Sequence, residues 1–73
     1  MKLPRTLSSK KVTKAFEKLG FEFRRQTGSH LIYRKHDIVI SIPKHDQVKV
    51  GTLRQLIRVA GITKKDFIEA LDK

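Results

Sequence analysis

Residues 21–43, FEFRRQTGSHLIYRKHDIVISIP, decide the fold of this 73-residue chain. Apolar and polar residues alternate along most of the stretch, which is the two-residue period of a strand with one buried face. Residues 27–29 and the pair His36-Asp37 interrupt the alternation with turn-forming side chains. Pro43 ends it, because proline has no N–H to donate to a sheet. We therefore predict three strands joined by two tight hairpins, at residues 21–25, 30–35 and 38–42.

The lengths of the two turns assign the side chains to the faces of the sheet. A two-residue turn in the second hairpin pairs Tyr33 with Ile40. A three-residue turn in the first hairpin pairs Phe23 with Tyr33, and it also pairs Gln26 with His30. One face is then mostly apolar and packs on helices: Phe21, Phe23, Leu31, Tyr33, Ile38, Ile40 and Ile42. The open face carries Glu22, Arg24, Gln26, His30, Ile32, Arg34, Val39 and Ser41.

The residues before this stretch have the pattern of an amphipathic helix. Ser8 is the predicted N-cap, since a serine hydroxyl accepts a hydrogen bond from a first-turn N–H. Gly20 is predicted to follow the last turn, with Phe21 contacting Phe16 as in a Schellman motif. The apolar stripe of this helix recurs at helical spacing: Val12, Ala15, Phe16 and Leu19.

Two further helices are predicted after the strands. The second begins at Thr52, with Gln55 completing a capping box, and Gly61 ends it. The third begins with the capping pair Thr63 and Asp66. Their apolar positions recur at helical spacing: Leu53, Leu56, Ile57, Ala60, Phe67, Ile68 and Leu71. The chain thus predicts an α+β fold, helix–three strands–helix–helix, with the helices packed on one face of an antiparallel sheet.

Length and charge limit what the chain can be. We expect residues 1–73 to form a single domain, because a chain of this size builds only one thin core. Seventeen Lys and Arg residues against seven Asp and Glu residues give a formal net charge of +10. This charge favours a polyanionic partner, above all nucleic acid, over a role in solubility alone. An anionic membrane surface is disfavoured as the partner, because the predicted helices have no spare apolar face.

The sequence also bears on site types and on location. There is no cysteine, which excludes disulfides and thiolate zinc sites. No apolar run approaches the roughly 18 residues that a membrane span needs. The N-terminal residues MKLPRTLSSKK lack the apolar segment of a signal peptide, so we expect a cytoplasmic protein.

Basic side chains cluster around the start of the second predicted helix. Arg54 and Arg58 lie one turn apart on its polar face, and Lys44 and Lys49 precede it in the chain. We interpret these four residues as contacts for nucleic-acid phosphates, with a solvated surface as the alternative. The first helix carries a second basic surface with the same two interpretations: Lys10, Lys11, Lys14 and Lys18.

His30 is the candidate catalytic residue. The predicted register places it on the open face of the sheet, on the same side as Arg24 and Arg34. Neighbouring cations disfavour the imidazolium form, so we expect the neutral ring that a general base needs. The alternative is a structural histidine whose ring bonds a nearby backbone carbonyl. A metal site at His30, His36 and His45 is disfavoured, because their spacing matches no common ligand pattern.

Four segments together resemble one known family. The order of the elements is that of the double-stranded RNA-binding domain. The matching segments are Gly20-Phe21, Gly28-Ser29-His30, Ile42-Pro43-Lys44-His45 and Gly51-Thr52-Leu53-Arg54. In this combination the chain resembles the HicA family, the mRNA interferase toxins of bacterial and archaeal HicA–HicB toxin–antitoxin systems. The resemblance covers nearly the whole chain.

The resemblance implies an RNA endonuclease whose catalytic residue is His30, and a HicB-like antitoxin that binds and blocks it. Many members have a second histidine directly after the first, whereas this chain has Leu31 there. Because the predicted register places Leu31 in the core, we expect the difference to be tolerated. It leaves the general acid unassigned, with His45 as a candidate.

The mechanism we predict is internal transesterification of RNA. His30 takes the proton of a ribose 2′-OH, which attacks the adjacent phosphate. Arg24 or Arg34 stabilises the negative charge that builds on the phosphate oxygens. This scheme needs neither a metal ion nor another cofactor. The alternative function is a non-catalytic module that recognises double-stranded RNA by its shape.

Overall fold

The computed structural model describes Leu3 and residues 6–44 and 47–72 of the chain. The elements, in chain order, are β1 (Thr6–Leu7), α1 (Ser9–Lys18), β2 (Glu22–Thr27), β3 (His30–Lys35), β4 (Ile38–Pro43), β5 (Val48–Lys49), α2 (Val50–Ala60) and α3 (Lys64–Asp72). Strands β2, β3 and β4 form an antiparallel sheet in that order, and the helices cover one of its faces. The predicted α+β fold is confirmed. The sequence did not predict β1 and β5, which pair in a separate two-stranded sheet, because two residues are too few to show a period.

The ends of α1 follow the prediction from the sequence. The Ser8 hydroxyl accepts a hydrogen bond from the backbone N–H of Lys11 at 3.3 Å. At the other end Gly20 has a φ of 100°, which reverses the chain at little steric cost. The N–H of Phe21 then bonds the Phe16 carbonyl at 3.0 Å, and the two rings lie 5.5 Å apart. This Schellman motif directs the chain from α1 into β2.

The second hairpin has the predicted two-residue turn. His36 adopts a φ of 54°, and Tyr33 pairs with Ile40 across β3 and β4. The buried Tyr33 hydroxyl donates a hydrogen bond to the Glu17 carboxylate on α1 at 2.8 Å. Burial, together with this carboxylate, raises the pKa of Tyr33 to about 12, so the hydroxyl stays protonated and keeps donating at neutral pH.

The first hairpin differs from the prediction. Its turn has two residues instead of three, because Gly28 takes a φ of 58° and Thr27 pairs with His30. The predicted pair of Gln26 with His30 is therefore wrong, and Gln26 pairs with Leu31. A β-bulge between Phe23 and Arg25 absorbs the extra residue, so that Phe23 pairs with Tyr33 as predicted.

Phe23 was also expected to pack under the helices, and it does not. Its ring contacts Tyr33 at 5.6 Å between centroids, but 52% of its surface is exposed. Strand β2 lies at the edge of the sheet, and all six of its residues are exposed. The helices pack mainly on β4 and leave the outer strand uncovered.

Helix α2 begins earlier than predicted. Its first residue is Val50, its N-cap is Lys49, and no side chain caps it, so the predicted capping box of Thr52 and Gln55 is wrong. Strand β5 runs directly into the helix and sets the direction in which the chain enters it. The end of α2 agrees with the prediction, because Gly61 has a φ of 72°. The predicted apolar face of α2 is buried: Leu53, Leu56, Ile57 and Ala60.

Helix α3 closes the core. Thr63 and Asp66 form the predicted capping box, with reciprocal hydrogen bonds of 3.2 and 3.0 Å. Phe67 is fully buried, and its ring lies 5.4 Å from that of Phe16. The rings of Phe16, Phe21 and Phe67 therefore join α1, the entry to β2 and α3 in one cluster.

Candidate functional site

His30 lies at the start of β3, at one end of the sheet. It pairs with Thr27 on one side and with Pro43 on the other, and its side chain is exposed. The backbone N–H of Lys44 donates to the Ser29 carbonyl at 2.6 Å, which ties the strand ends together beside it. Within the described residues, no hydrogen bond holds the imidazole. The ring is thus free of the backbone contact that a structural histidine would make.

The β3–β4 register confirms the predicted open face beside His30. Ile32 pairs with Ser41, and Arg34 pairs with Val39. Because side chains alternate along a strand, His30, Ile32 and Arg34 project from the same face. The face opposite the helices therefore carries the histidine, two apolar side chains and an arginine.

An arginine-rich cleft of about 380 Å³ lies on this open face. It is lined by Arg24, Arg25, Ile32, Arg34 and Val39, and we call it the arginine cleft. The bulge in β2 brings Arg24 and Arg25 to the same cleft, although neighbouring strand residues normally point to opposite faces. The cleft contains three guanidinium groups, whereas the sequence analysis predicted two, those of Arg24 and Arg34.

Arg25 is the arginine that reasoning from sequence missed. It pairs with Ile32, which lies about 7 Å along β3 from His30 at the usual rise of a strand. Arg34 lies about 13 Å along the strand from His30 by the same rise. Its Nε also donates to the His36 carbonyl at 2.6 Å, at the far end of the strand. Arg25 is therefore better placed than Arg34 to share a ligand with His30.

A second depression has His30 in its lining, together with residues of β4 and α2. It is a groove of about 400 Å³ between β4 and α2, which we call the β4–α2 groove. Its lining consists of His30, Val39, Ile40, Ser41, Pro43, Thr52, Gln55, Leu56 and Val59. Val39 lines the arginine cleft as well, so the two depressions are neighbours that share one wall residue. His30 lines the groove and not the cleft.

The remaining predicted phosphate contacts fall into two groups. Lys44 is exposed and follows Pro43, the partner of His30, so it lies at the same end of the sheet. Arg54 and Arg58 line a different cleft with Ile57 and Lys64, and that cleft shares no residue with either depression next to His30. Exposed Lys49 belongs to β5, in the two-stranded sheet. Only Lys44 of these four is adjacent to the histidine in the strand pairing.

Comparison with known proteins gives the family. A family model described as "HicA toxin of bacterial toxin-antitoxin" matches residues 9–62, well over half of the chain. The chain belongs to the HicA toxin family. The matched segment runs from the start of α1 to the residue after Gly61, so it contains the whole three-stranded sheet, both depressions and His30. Among curated proteins, no sequence matches the chain significantly.

Membership of the HicA toxin family establishes a toxin role in a toxin–antitoxin system, and with it an antitoxin partner. In this HicA toxin Leu31 is half-buried against the core and pairs with Ile42, as the sequence predicted. The position after His30 therefore serves packing in this chain. His45, the candidate general acid, lies outside the described residues.

Other kinds of site find no support in the described part of this HicA toxin. Across residues 6–44 and 47–72, no three His, Asp or Glu side chains lie close enough together to hold a metal ion. His30 and His36 are at opposite ends of β3, and the third member of the disfavoured metal set, His45, is not among these residues. No described helix is long and apolar enough to cross a membrane.

Proposed function

We propose that this toxin is an endonuclease that cleaves mRNA, with His30 as its general base. One observation carries the proposal: an exposed histidine, with no hydrogen-bonded partner among the described residues, stands near a cleft lined by three arginines. A general base needs an accessible ring nitrogen, and a phosphate needs nearby cations. The net charge of +10 favours RNA as the polyanion.

The proposed reaction is an internal transesterification. His30 takes the proton from a ribose 2′-OH, and the 2′ oxygen forms a bond to the adjacent phosphorus. The bond between phosphorus and the 5′ oxygen of the next nucleotide breaks, and that oxygen takes a proton from the solvent that surrounds the exposed site. The products are a 2′,3′-cyclic phosphate and a free 5′-OH. The scheme uses no metal ion or other cofactor.

The arginine cleft supplies the positive charge that this reaction needs. Negative charge builds on the two non-bridging phosphate oxygens as the 2′ oxygen attacks, and guanidinium groups stabilise it. Arg25 is the first candidate for this role because of its position next to Ile32, with Arg24 in the same cleft. The Nε of Arg34 donates to the His36 carbonyl, at the end of β3 that is far from His30. In this proposal Arg34 therefore binds a neighbouring phosphate and not the one that is cleaved.

The antitoxin in this proposal is a HicB-like protein. An acidic surface on that partner would complement the net charge of +10 and would cover the exposed His30. Covering one exposed side chain is enough to stop the reaction, since the base must reach the 2′-OH directly. We expect both proteins in the cytoplasm, where mRNA is found.

Replacing Arg25 with glutamine tests the role of the cleft. We expect kcat for RNA cleavage to fall about 100-fold, because one charge-stabilising donor is lost. Arg54→Gln is the matched control: it removes the same charge from the separate cleft on α2. It should lower RNA affinity slightly and leave kcat unchanged. Equal losses of kcat in the two variants would show that the effect is general electrostatics and would contradict a role for Arg25.

A further inference from the structure

Exposed apolar surface is concentrated beside His30. The exposed large hydrophobic residues of the described chain are Phe23, Val39 and Val59, and the two valines both line the β4–α2 groove. Their exposed fractions are 53% and 50%. Exposed apolar patches of this kind mark binding sites.

We propose that the β4–α2 groove binds one nucleobase of the RNA, next to the phosphate that is cleaved. This inference rests on the proposed function, and it deepens it by naming a base-recognition subsite. It also names the substrate as single-stranded RNA, because a base that enters the groove must leave its stack and its pairing partner.

The lining of the groove has the chemistry of a base site. Val39, Val59, Leu56 and Pro43 provide apolar surface for the faces of a base. Ser41, Thr52 and Gln55 provide hydroxyl and amide groups for its polar edge. Apart from His30 no lining residue is titratable, which suits a neutral base better than a phosphate. A mostly apolar pocket with a few polar groups is the usual form of such sites.

Helix geometry explains why α2 presents this set of residues. Thr52, Gln55, Leu56 and Val59 have the spacing i, i+3, i+4 and i+7, so they form one stripe along the helix. Arg54 and Arg58 lie on another stripe and line the other cleft. Helix α2 therefore turns its uncharged stripe to the strand that holds Val39, and its basic stripe elsewhere.

Charge and proximity favour RNA as the occupant of the groove. Val39 lines both the groove and the arginine cleft, and His30 lies in the wall of the groove. A strand of RNA whose phosphate lies by Arg25 and whose 2′-OH faces His30 has one base within reach of the groove. The net charge of +10 attracts the same polyanion.

The test uses the unmodified chain and RNAs with 2′-fluoro sugars, which have no 2′-OH to attack. The RNA stays intact during the binding measurements and the wall of the groove is unchanged. Short single-stranded RNAs carry an abasic nucleotide at each position in turn, and their Kd values are measured by fluorescence anisotropy. We expect the abasic change to weaken binding about tenfold at one position and little at the others. A uniform response to the abasic change at every position would overturn the proposal.

A substitution assigns the effect to the groove. Gln55→Ala should remove most of the preference among such 2′-fluoro RNAs when they differ only in the base at the position that the abasic scan identifies. Gln47→Ala is the matched control, because Gln47 is exposed and does not line the groove. Gln55 is exposed as well, so neither change should alter the thermal unfolding temperature. If both variants keep the base preference, the groove is not the base site, and binding of a protein partner becomes the alternative role for it.

The outcomes separate this inference from the proposed function. If the unmodified chain does not cleave RNA but the abasic scan finds one sensitive position that depends on Gln55, the base site stands and the endonuclease proposal fails. If cleavage depends on His30 but no position is sensitive, the endonuclease proposal stands and the base site is refuted.

Discussion

Replacing His30 with alanine should lower the rate of RNA cleavage by about 10²–10⁴-fold, the usual contribution of a general base. RNA affinity should change less than threefold, because the arginine cleft stays intact and His30 is one of the nine residues that line the groove. The rate is measured at saturating RNA and the affinity by anisotropy. Expression in cells should show the same separation, with loss of growth inhibition by the variant.

His36→Ala is the matched control for this experiment. It also removes one exposed histidine from the β3–β4 hairpin, but at the far end of the strand. It should leave cleavage within about twofold of the unmodified chain, because His36 is distant from the reacting groups and a surface substitution changes stability by only about 0.5 kcal/mol. Equal cleavage by His30→Ala and the unmodified chain would contradict the role of His30. RNA binding without cleavage by either protein would support the alternative function, a module that binds double-stranded RNA without cleaving it.

Replacing Phe16 with alanine should destabilise the chain by about 3–5 kcal/mol, the cost of removing a large buried ring. Phe16 is fully buried and its ring contacts those of Phe21 and Phe67. A domain of this size has a free energy of unfolding of roughly 4–11 kcal/mol at about 0.05–0.15 kcal/mol per residue. The change therefore removes much of the stability, and urea unfolding followed by circular dichroism measures it.

Phe23→Ala is the control for the size of the ring removed. Phe23 is half exposed on the uncovered strand β2, so the loss should be about 1 kcal/mol or less. The difference between the two losses in the free energy of unfolding measures how much a ring stabilises the chain when the helices cover it. Similar losses in both would show that β2 is covered in solution, in contradiction to the fold described above.

The parts of the fold that depend on local contacts were predictable from the sequence. The Ser8 cap, the Gly20–Phe21 reversal and the capping box of Thr63 and Asp66 involve residues at most five positions apart. Their chemistry can be read directly from residue types. The second hairpin belongs to the same class, because its turn leaves a single consistent register.

The first hairpin could not be predicted in full, because two errors cancel there. A three-residue turn without a bulge and a two-residue turn with a bulge give the same pairing of Phe23 with Tyr33. The sequence alone does not separate them, since the energy of the bulge depends on the whole edge strand. The difference matters for function, because the two-residue turn pairs Arg25 with Ile32, and the bulge then lets Arg24 line the same cleft.

The β4–α2 groove could not be predicted from the sequence, for a different reason. Val39 was correctly placed on the open face, but Val59 lies outside the predicted apolar face of α2. The groove forms because α2 packs beside the edge of β4, which is a matter of how the helix lies on the sheet. No residue pattern within one element encodes that arrangement.

Analysis of the ends of the cleaved RNA tests the central proposal most directly. A single-stranded RNA is treated with the protein, and the new ends are identified by mass spectrometry. We expect a 2′,3′-cyclic phosphate on one fragment and a 5′-OH on the other, and no cleavage where the 2′-OH is replaced by hydrogen. A 5′-phosphate end, with cleavage at the 2′-deoxy position, would mean that water is the nucleophile and would contradict the role assigned to His30.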